Sequence, residues 1–140
     1  MPTGTTYNPP NIDAFIKTAL NFDAQGVSTT ATAGSVTNLD YELTDDCLVT
    51  GMELIVNGGN YGDTANLQII DTTGYFSGTP GKILNQFATN WHVAPIADTQ
   101  FDMAYPAKIL ATMTLRVAYT STGTTNPFVA INYKLHKVLF

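Results

Sequence analysis

Residues 109–137, ILATMTLRVAYTSTGTTNPFVAINYKLHK, decide the fold class. Ile109, Ala111, Met113, Leu115, Val117 and Tyr119 alternate with Thr112, Thr114, Arg116 and Thr120. After a polar stretch at 121–127, Val129, Ile131, Tyr133 and Leu135 alternate with Ala130, Asn132, Lys134 and His136. A period of two places every second side chain on one face, the pattern of a half-buried strand. The two runs and the turn between them predict a long antiparallel hairpin.

The same period recurs toward the N-terminus. Leu39, Tyr41 and Leu43 alternate with polar residues over 35–43, and Thr44-Asp45-Asp46 forms a turn. Leu48, Met52, Leu54 and Val56 mark a strand over 48–56, in which Gly51 signals a bulge or a close backbone approach. Asn57 to Asp63 carries three glycines, as a hairpin loop requires, and Ala65, Leu67 and Ile69 form the return strand. A loop is expected from Asp71 to Gly81. The block at 83–93 fits a helix face through Ile83, Phe87 and Trp91 and a strand face through the same residues plus Val93; its β-branched and aromatic content favours strand. About seven strands separated by turn signals predict an all-β, antiparallel two-sheet β-sandwich. Long connections that let the chain cross between sheets favour a jelly-roll form.

The beginning of the chain differs. MPTGTTYNPP reads as an extended N-terminal arm, and Ile12, Phe15, Ile16, Ala19 and Leu20 recur at the spacing of one helix face, with Asn11 placed as N-cap. Small polar residues at 24–34 read as a mobile connector. The expected organisation is arm, short helix and connector over 1–34, followed by a sandwich domain over 35–140.

Composition narrows the function. The 140 residues carry 6 Lys plus Arg against 11 Asp plus Glu, a net charge of -5 and only 12% charged residues. That sign is wrong for gripping phosphates, so nucleic acid is not an expected partner. Apolar runs fall short of the roughly 20 residues of a membrane-spanning helix, and the first residues lack the pattern of a signal peptide, so neither a membrane nor processing is expected. Cys47 is the sole cysteine, which leaves no intramolecular disulfide and points to a reducing compartment.

Chemical motifs are sparse. Asp71-Thr72-Thr73-Gly74 is comparable with the Asp-Thr/Ser-Gly loop of aspartic proteases, but the extra Thr disturbs the turn, and an Asp and Gly closing a strand is the simpler interpretation. Cys47 and His92 are conceivable as nucleophile and base, without a recognisable signature. Asp40, Glu42, Asp45 and Asp46 are hard oxygen ligands lacking a calcium-loop spacing, and a solvated rim accounts for them. Asp98 and Asp102 form a nominal glycosidase pair of unfixed separation. His136, beside Lys134, is expected at the surface or in an interface rather than on a metal. Trp91 with Tyr61, Tyr75 and Phe76 could make a sugar-stacking platform, as in a carbohydrate-binding or tail-associated adhesin module, although a core role suits Trp91 better. No enzyme activity, cofactor or metal is expected.

The blocks LTDDCLVTG (43–51), MELIVNGGNYGDTANLQIID (52–71), ILNQFATNWHV (83–93) and VAINYKLHKVLF (129–140), together with the Thr-rich arm, resemble the jelly-roll cement, or decoration, proteins of tailed bacteriophages, such as that of a Bordetella phage. The resemblance implies a non-enzymatic virion protein, made in the host cytoplasm, that forms a homodimer on the outer surface of the capsid. There it would bridge neighbouring major capsid proteins. Residues 1–22 are the expected reaching element, with Tyr7, Ile12, Phe15 and Ile16 as partner-binding anchors.

Overall fold

Strands β1 (Asn21–Thr30) and β8 (Phe128–Lys137) pair antiparallel through ten consecutive residues, so the start of the described chain is stitched to its end. The same rule governs the other six strands. β2 (Val36–Glu42) pairs with β7 (Met113–Thr120), β3 (Cys47–Asn57) with β6 (Ile96–Ile109), and β4 (Thr64–Asp71) with β5 (Lys82–His92). The chain is in effect one long hairpin, closed at the β4–β5 turn and rolled up. Two four-stranded antiparallel sheets result, with orders β1-β8-β3-β6 and β2-β7-β4-β5, the arrangement of a jelly roll. This computed structural model describes residues 21–137, and no helix occurs among them. The expected arm and helix over 1–20 lie outside the described residues.

Strand alternation builds the interior. Val49, Leu54 and Val56 on β3, with Val129, Ile131, Tyr133 and Leu135 on β8, face Leu67 and Ile69 on β4 and Leu115, Val117 and Tyr119 on β7 in one buried cluster. Gly51 sits at a register shift: Val49 and Gly51 oppose the consecutive residues Leu135 and Lys134, so Thr50 is the extra residue of a bulge. The bulge lets Val49 and Met52, of opposite parity, both reach the core.

Three expectations are corrected. The strands at 109–120 and 128–136 do not form a hairpin; β7 and β8 lie in opposite sheets. Nor does the 48–56 strand pair with 65–69, because β3 and β4 are likewise divided. Alternation specifies which face is buried but not which strand is the neighbour, and loops of six or seven residues suffice to cross a sandwich about 10 Å thick. Residues 24–30, expected in a connector, instead form most of β1, whose polar composition conceals a strand ordered by β8. β6 was also hidden, since IADTQFDMAYPAKI lacks clean alternation and contains Pro106. It takes Ile109, and the chain crosses sheets at 110–112 before β7 starts at Met113. The 83–93 block is a strand.

The crossings at 31–35, 58–63, 93–95 and 121–127 gather at one end, here the upper end, and a single residue ties three of them together. Asp63 is wholly buried. Its Oδ2 accepts hydrogen bonds from the Tyr119 hydroxyl (2.6 Å) and the Asn60 N–H (3.0 Å), and its Oδ1 accepts from the N–H (2.8 Å) and hydroxyl (3.0 Å) of Thr122. Its own carbonyl accepts the Val93 N–H at 3.0 Å. Gly59 passes so close that a Cβ there would lie 3.1 Å from the Tyr119 oxygen and 3.3 Å from Asp63 Oδ2. Burial alone would raise the Asp63 pKa, but the donors from Tyr119, Thr122 and Asn60 outweigh it and hold the carboxyl below its ordinary 3.8.

Because that pKa is depressed on folding, the stability it contributes is present above the ordinary value and is lost as pH falls through the folded one. Asp63→Asn should therefore flatten the acid limb of stability, measured by urea denaturation at a series of pH values. Tyr119→Phe should cost about 1–3 kcal/mol at neutral pH, the range for a buried acceptor deprived of one donor.

Candidate functional site

The surface outside this core carries two unlike regions. The first lies at the lower end, where the loop 72–81 joins β4 to β5. Asp71, buried at the end of β4, accepts the N–H groups of Phe76 (3.2 Å) and Ser77 (2.8 Å) and the Ser77 hydroxyl (2.7 Å) on Oδ2. Gly74 turns at φ 79°, where a Cβ would meet the Pro80 ring. The folded loop holds Tyr75 and Phe76 outward, their rings edge-on with centroids 5.0 Å apart. β5 continues the exposure. Its pairing with β4 slips three times, so that Ala65, Leu67 and Ile69 oppose Trp91, Ala88 and Asn85, whereas Gln68 and Ile70 oppose Gln86 and Ile83. The slips turn Ile83 outward, away from the face of Phe87 and Trp91 on which strict alternation placed it. Ile83 and Leu84 are both exposed.

The second region is the outward face of β8-β3-β6. Glu53 on β3 lies between Asn132 on β8 and Gln100 on β6, whose side-chain amides donate to its two oxygens at 3.2 and 3.4 Å. Asp98, one rung away, is hydrogen-bonded to Glu53. That bond, then those from Asn132 and Gln100 and the charge of Lys134, lower the Glu53 pKa, while the Glu53 carboxylate raises that of Asp98. Neighbouring carboxyls disfavour each other's ionisation, which is why the two pKa values move apart. At the upper edge of the same face, Phe128 and Ile96 flank Asn57 on one rung and are exposed.

No protein-family model and no curated protein sequence matches the chain. Viral capsid proteins are among the solved structures to which it is similar. The infectious bursal disease virus VP2 subviral particle is 13% identical, with a TM-score of 0.42 over 86% of this chain and 31% of that one. Infectious bursal disease virus of the Gt strain gives 12%, 0.38, 83% and 35%. The arabinose-bound α-L-arabinofuranosidase MgGH51 gives 12%, 0.49, 93% and 24%. This chain spans about a third of the length of those capsid proteins and a quarter of that of the glycosidase. Similarity at this level carries no activity with it, and function rests on the chain's own surface.

The residues singled out from sequence do not converge on a reaction centre. Cys47 begins β3 at the lower end, buried, its thiol pushed up to about 11 by burial and then by Asp46 and Asp45; His92 ends β5 at the upper end. Asp98 meets Glu53, and about 13 Å of extended strand separates its Cα from that of Asp102. Asp40 is held by Arg116 across the β2–β7 pair at 2.7 and 2.9 Å, and Asp46 accepts the Ala111 N–H at 2.9 Å, so the acidic run divides among separate partners. Among the described residues no three His, Cys, Asp or Glu side chains gather as a metal site. His136 is half-buried, its Nε2 3.0 Å from the Thr50 hydroxyl. Trp91 is half-buried against the core, Tyr61 stands on an upper loop, and Tyr75 and Phe76 project at the lower end, so these four do not form one platform. Tyr7, Ile12, Phe15 and Ile16 lie outside the described residues. Sequence reasoning missed Glu53, Ile96, Phe128 and the outward turn of Ile83; only Glu53 carried a signal, as a charge on the polar side of β3.

The carboxyl pair has a checkable pH signature. Since the Asp98 pKa is raised, its proton and the bond to Glu53 persist below the raised value and are lost as pH rises through it. The contribution of Glu53, whose pKa is lowered, is lost in the opposite direction, as pH falls through its folded value. Glu53→Gln should return Asp98 toward 3.8 in a carboxyl NMR titration; an Asp98 that titrates alike in both proteins would contradict the pairing.

Proposed function

We propose that this chain is a capsid cement protein of a tailed phage, a non-enzymatic component on the outer surface of the head that bridges neighbouring major capsid proteins. The observation that carries the proposal is the distribution of large apolar side chains. Tyr75, Phe76, Ile83, Leu84, Ile96 and Phe128 are exposed on a rigid sandwich whose prominent carboxylates are tied up in structural bonds. Exposed apolar groups on a stiff frame suit contact with protein, and the uncharged Thr and Asn surface around them suits hydrogen-bonded interfaces. The resemblance of the four sequence blocks to decoration proteins points the same way. Tyr7, Ile12, Phe15 and Ile16 are proposed as anchors of a reaching arm that orders on a neighbour. Binding the assembled shell but not free subunits stabilises the shell by mass action. Net negative charge is compatible with a position outside the packaged nucleic acid.

The test uses heads of the parent phage stripped of the protein and reconstituted with it. The protein should saturate assembled shells at fixed stoichiometry, ignore unassembled capsid subunits, and raise the temperature at which heads release DNA. Absence of shell binding, or equal heat resistance with and without it, would reject the proposal.

A further inference from the structure

Asn57 is the only asparagine in the chain that precedes a glycine, and no aspartate precedes one. It closes the β3 ladder on the rung Phe128–Asn57–Ile96, and the chain leaves the sheet at Gly58. The Asn57 side chain is exposed, and no hydrogen bond to another described residue holds its carboxamide. Gly58 turns at φ 77°, and a Cβ placed on it would meet no atom within 4 Å. Asn57 Cγ and the Gly58 nitrogen therefore stand at an open corner, where water has access and no side chain shields the peptide.

We propose that Asn57 is a site of spontaneous deamidation, converting in the folded protein to aspartate and isoaspartate through a cyclic imide with Gly58. The Gly58 nitrogen gives up its proton to hydroxide and attacks Asn57 Cγ, forming a new C–N bond. The bond from Cγ to Nδ2 then breaks, and the amide nitrogen takes a proton from water and leaves as ammonia. A second water opens the five-membered imide. Opening at Cγ gives aspartate, and opening at the main-chain carbonyl gives isoaspartate; either way one water is consumed and one ammonia released. The closure is intramolecular, so positioning replaces collision, and glycine leaves the attacking nitrogen unobstructed.

Both products change the upper edge of the sandwich. Aspartate adds a negative charge to the net -5 and puts it between Ile96 and Phe128, which are 79% and 45% exposed. Isoaspartate also lengthens the main chain by a carbon just before the crossing is tied down. The Gly58 carbonyl accepts the Thr125 hydroxyl at 2.8 Å, and the Gly59 N–H donates to the Pro95 carbonyl at 2.9 Å. These ties lie beyond the attacking nitrogen and leave the Asn57 side chain free to turn toward it. Gly59 has no slack for the added carbon, since even a Cβ on it would lie 3.1 Å from the Tyr119 oxygen and 3.3 Å from Asp63 Oδ2. The aspartate form therefore keeps the Asp63 site intact, whereas the isoaspartate form strains it. None of this depends on whether the protein binds a capsid.

The full-length chain tests the proposal by incubation in mildly alkaline buffer, followed by digestion and mass spectrometry. The peptide containing residue 57 should gain the mass of OH replacing NH2 before any peptide carrying the other ten asparagines, and part of it should accept a methyl group from isoaspartyl methyltransferase. Asn57→Gln should lower both signals by about tenfold or more, because glutamine must close a larger ring. Forms separated by ion exchange should differ in urea: the isoaspartate form unfolds at a lower midpoint than the aspartate form, which matches the unmodified protein. Conversion of Asn57 in the urea-unfolded chain but not in the folded one, or conversion no faster than at the other asparagines, would overturn the proposal. Equal midpoints for the two modified forms would overturn the strain assigned to Gly59.

Discussion

A buried carboxylate with four donors holds the upper end of this molecule together. The jelly roll forces the chain to change sheets repeatedly, and each crossing exposes backbone groups that no ladder can satisfy. Asp63 answers that requirement for three crossings at once, through Tyr119 from a core strand, Asn60 and Thr122 from two loops, and its own carbonyl to Val93. The burial that makes the site dry also makes it costly if any donor is lost, which is why Gly59 must leave room beside it. With that end fixed, the strands beneath are held in register by their ladders and the shared core.

Rigidity of this kind makes exposed apolar side chains informative. Were β5 a regular strand, Ile83 would point inward with Phe87 and Trp91. The slips against β4 instead turn it outward, and Asp71 closes the 72–81 loop that carries Tyr75 and Phe76. The lower end carries the exposed Tyr75, Phe76, Ile83 and Leu84, while on the outward face of β8-β3-β6 Glu53 sits among amide donors with Asp98 beside it.

The fold class was legible in the sequence because period-two alternation is a local property, plain at Leu115, Val117 and Tyr119 and at Val129, Ile131 and Tyr133. Gly51 as a bulge and Asp71 as the closing residue of a strand were legible for the same reason, since each acts on its immediate neighbours. β1 was not, because its small polar residues become a strand only through ten pairings with β8, about a hundred residues away. The outer patch was half legible: Tyr75 and Phe76 stand in a Gly- and Pro-containing loop, but the orientation of Ile83 follows from slips that no window of sequence displays.

By itself, then, the sequence determined that the chain is a two-sheet β protein with little charge, since hydrophobic period and composition operate over a few residues at a time. Only the tertiary structure decided which strands are neighbours. It sent β7 and β8 to opposite sheets, joined Asp63 to Tyr119 and Glu53 to Asp98, and left Ile83 facing solvent. Those outcomes depend on the closure of the whole sandwich, where pairing between distant strands and the space available at each crossing are settled together.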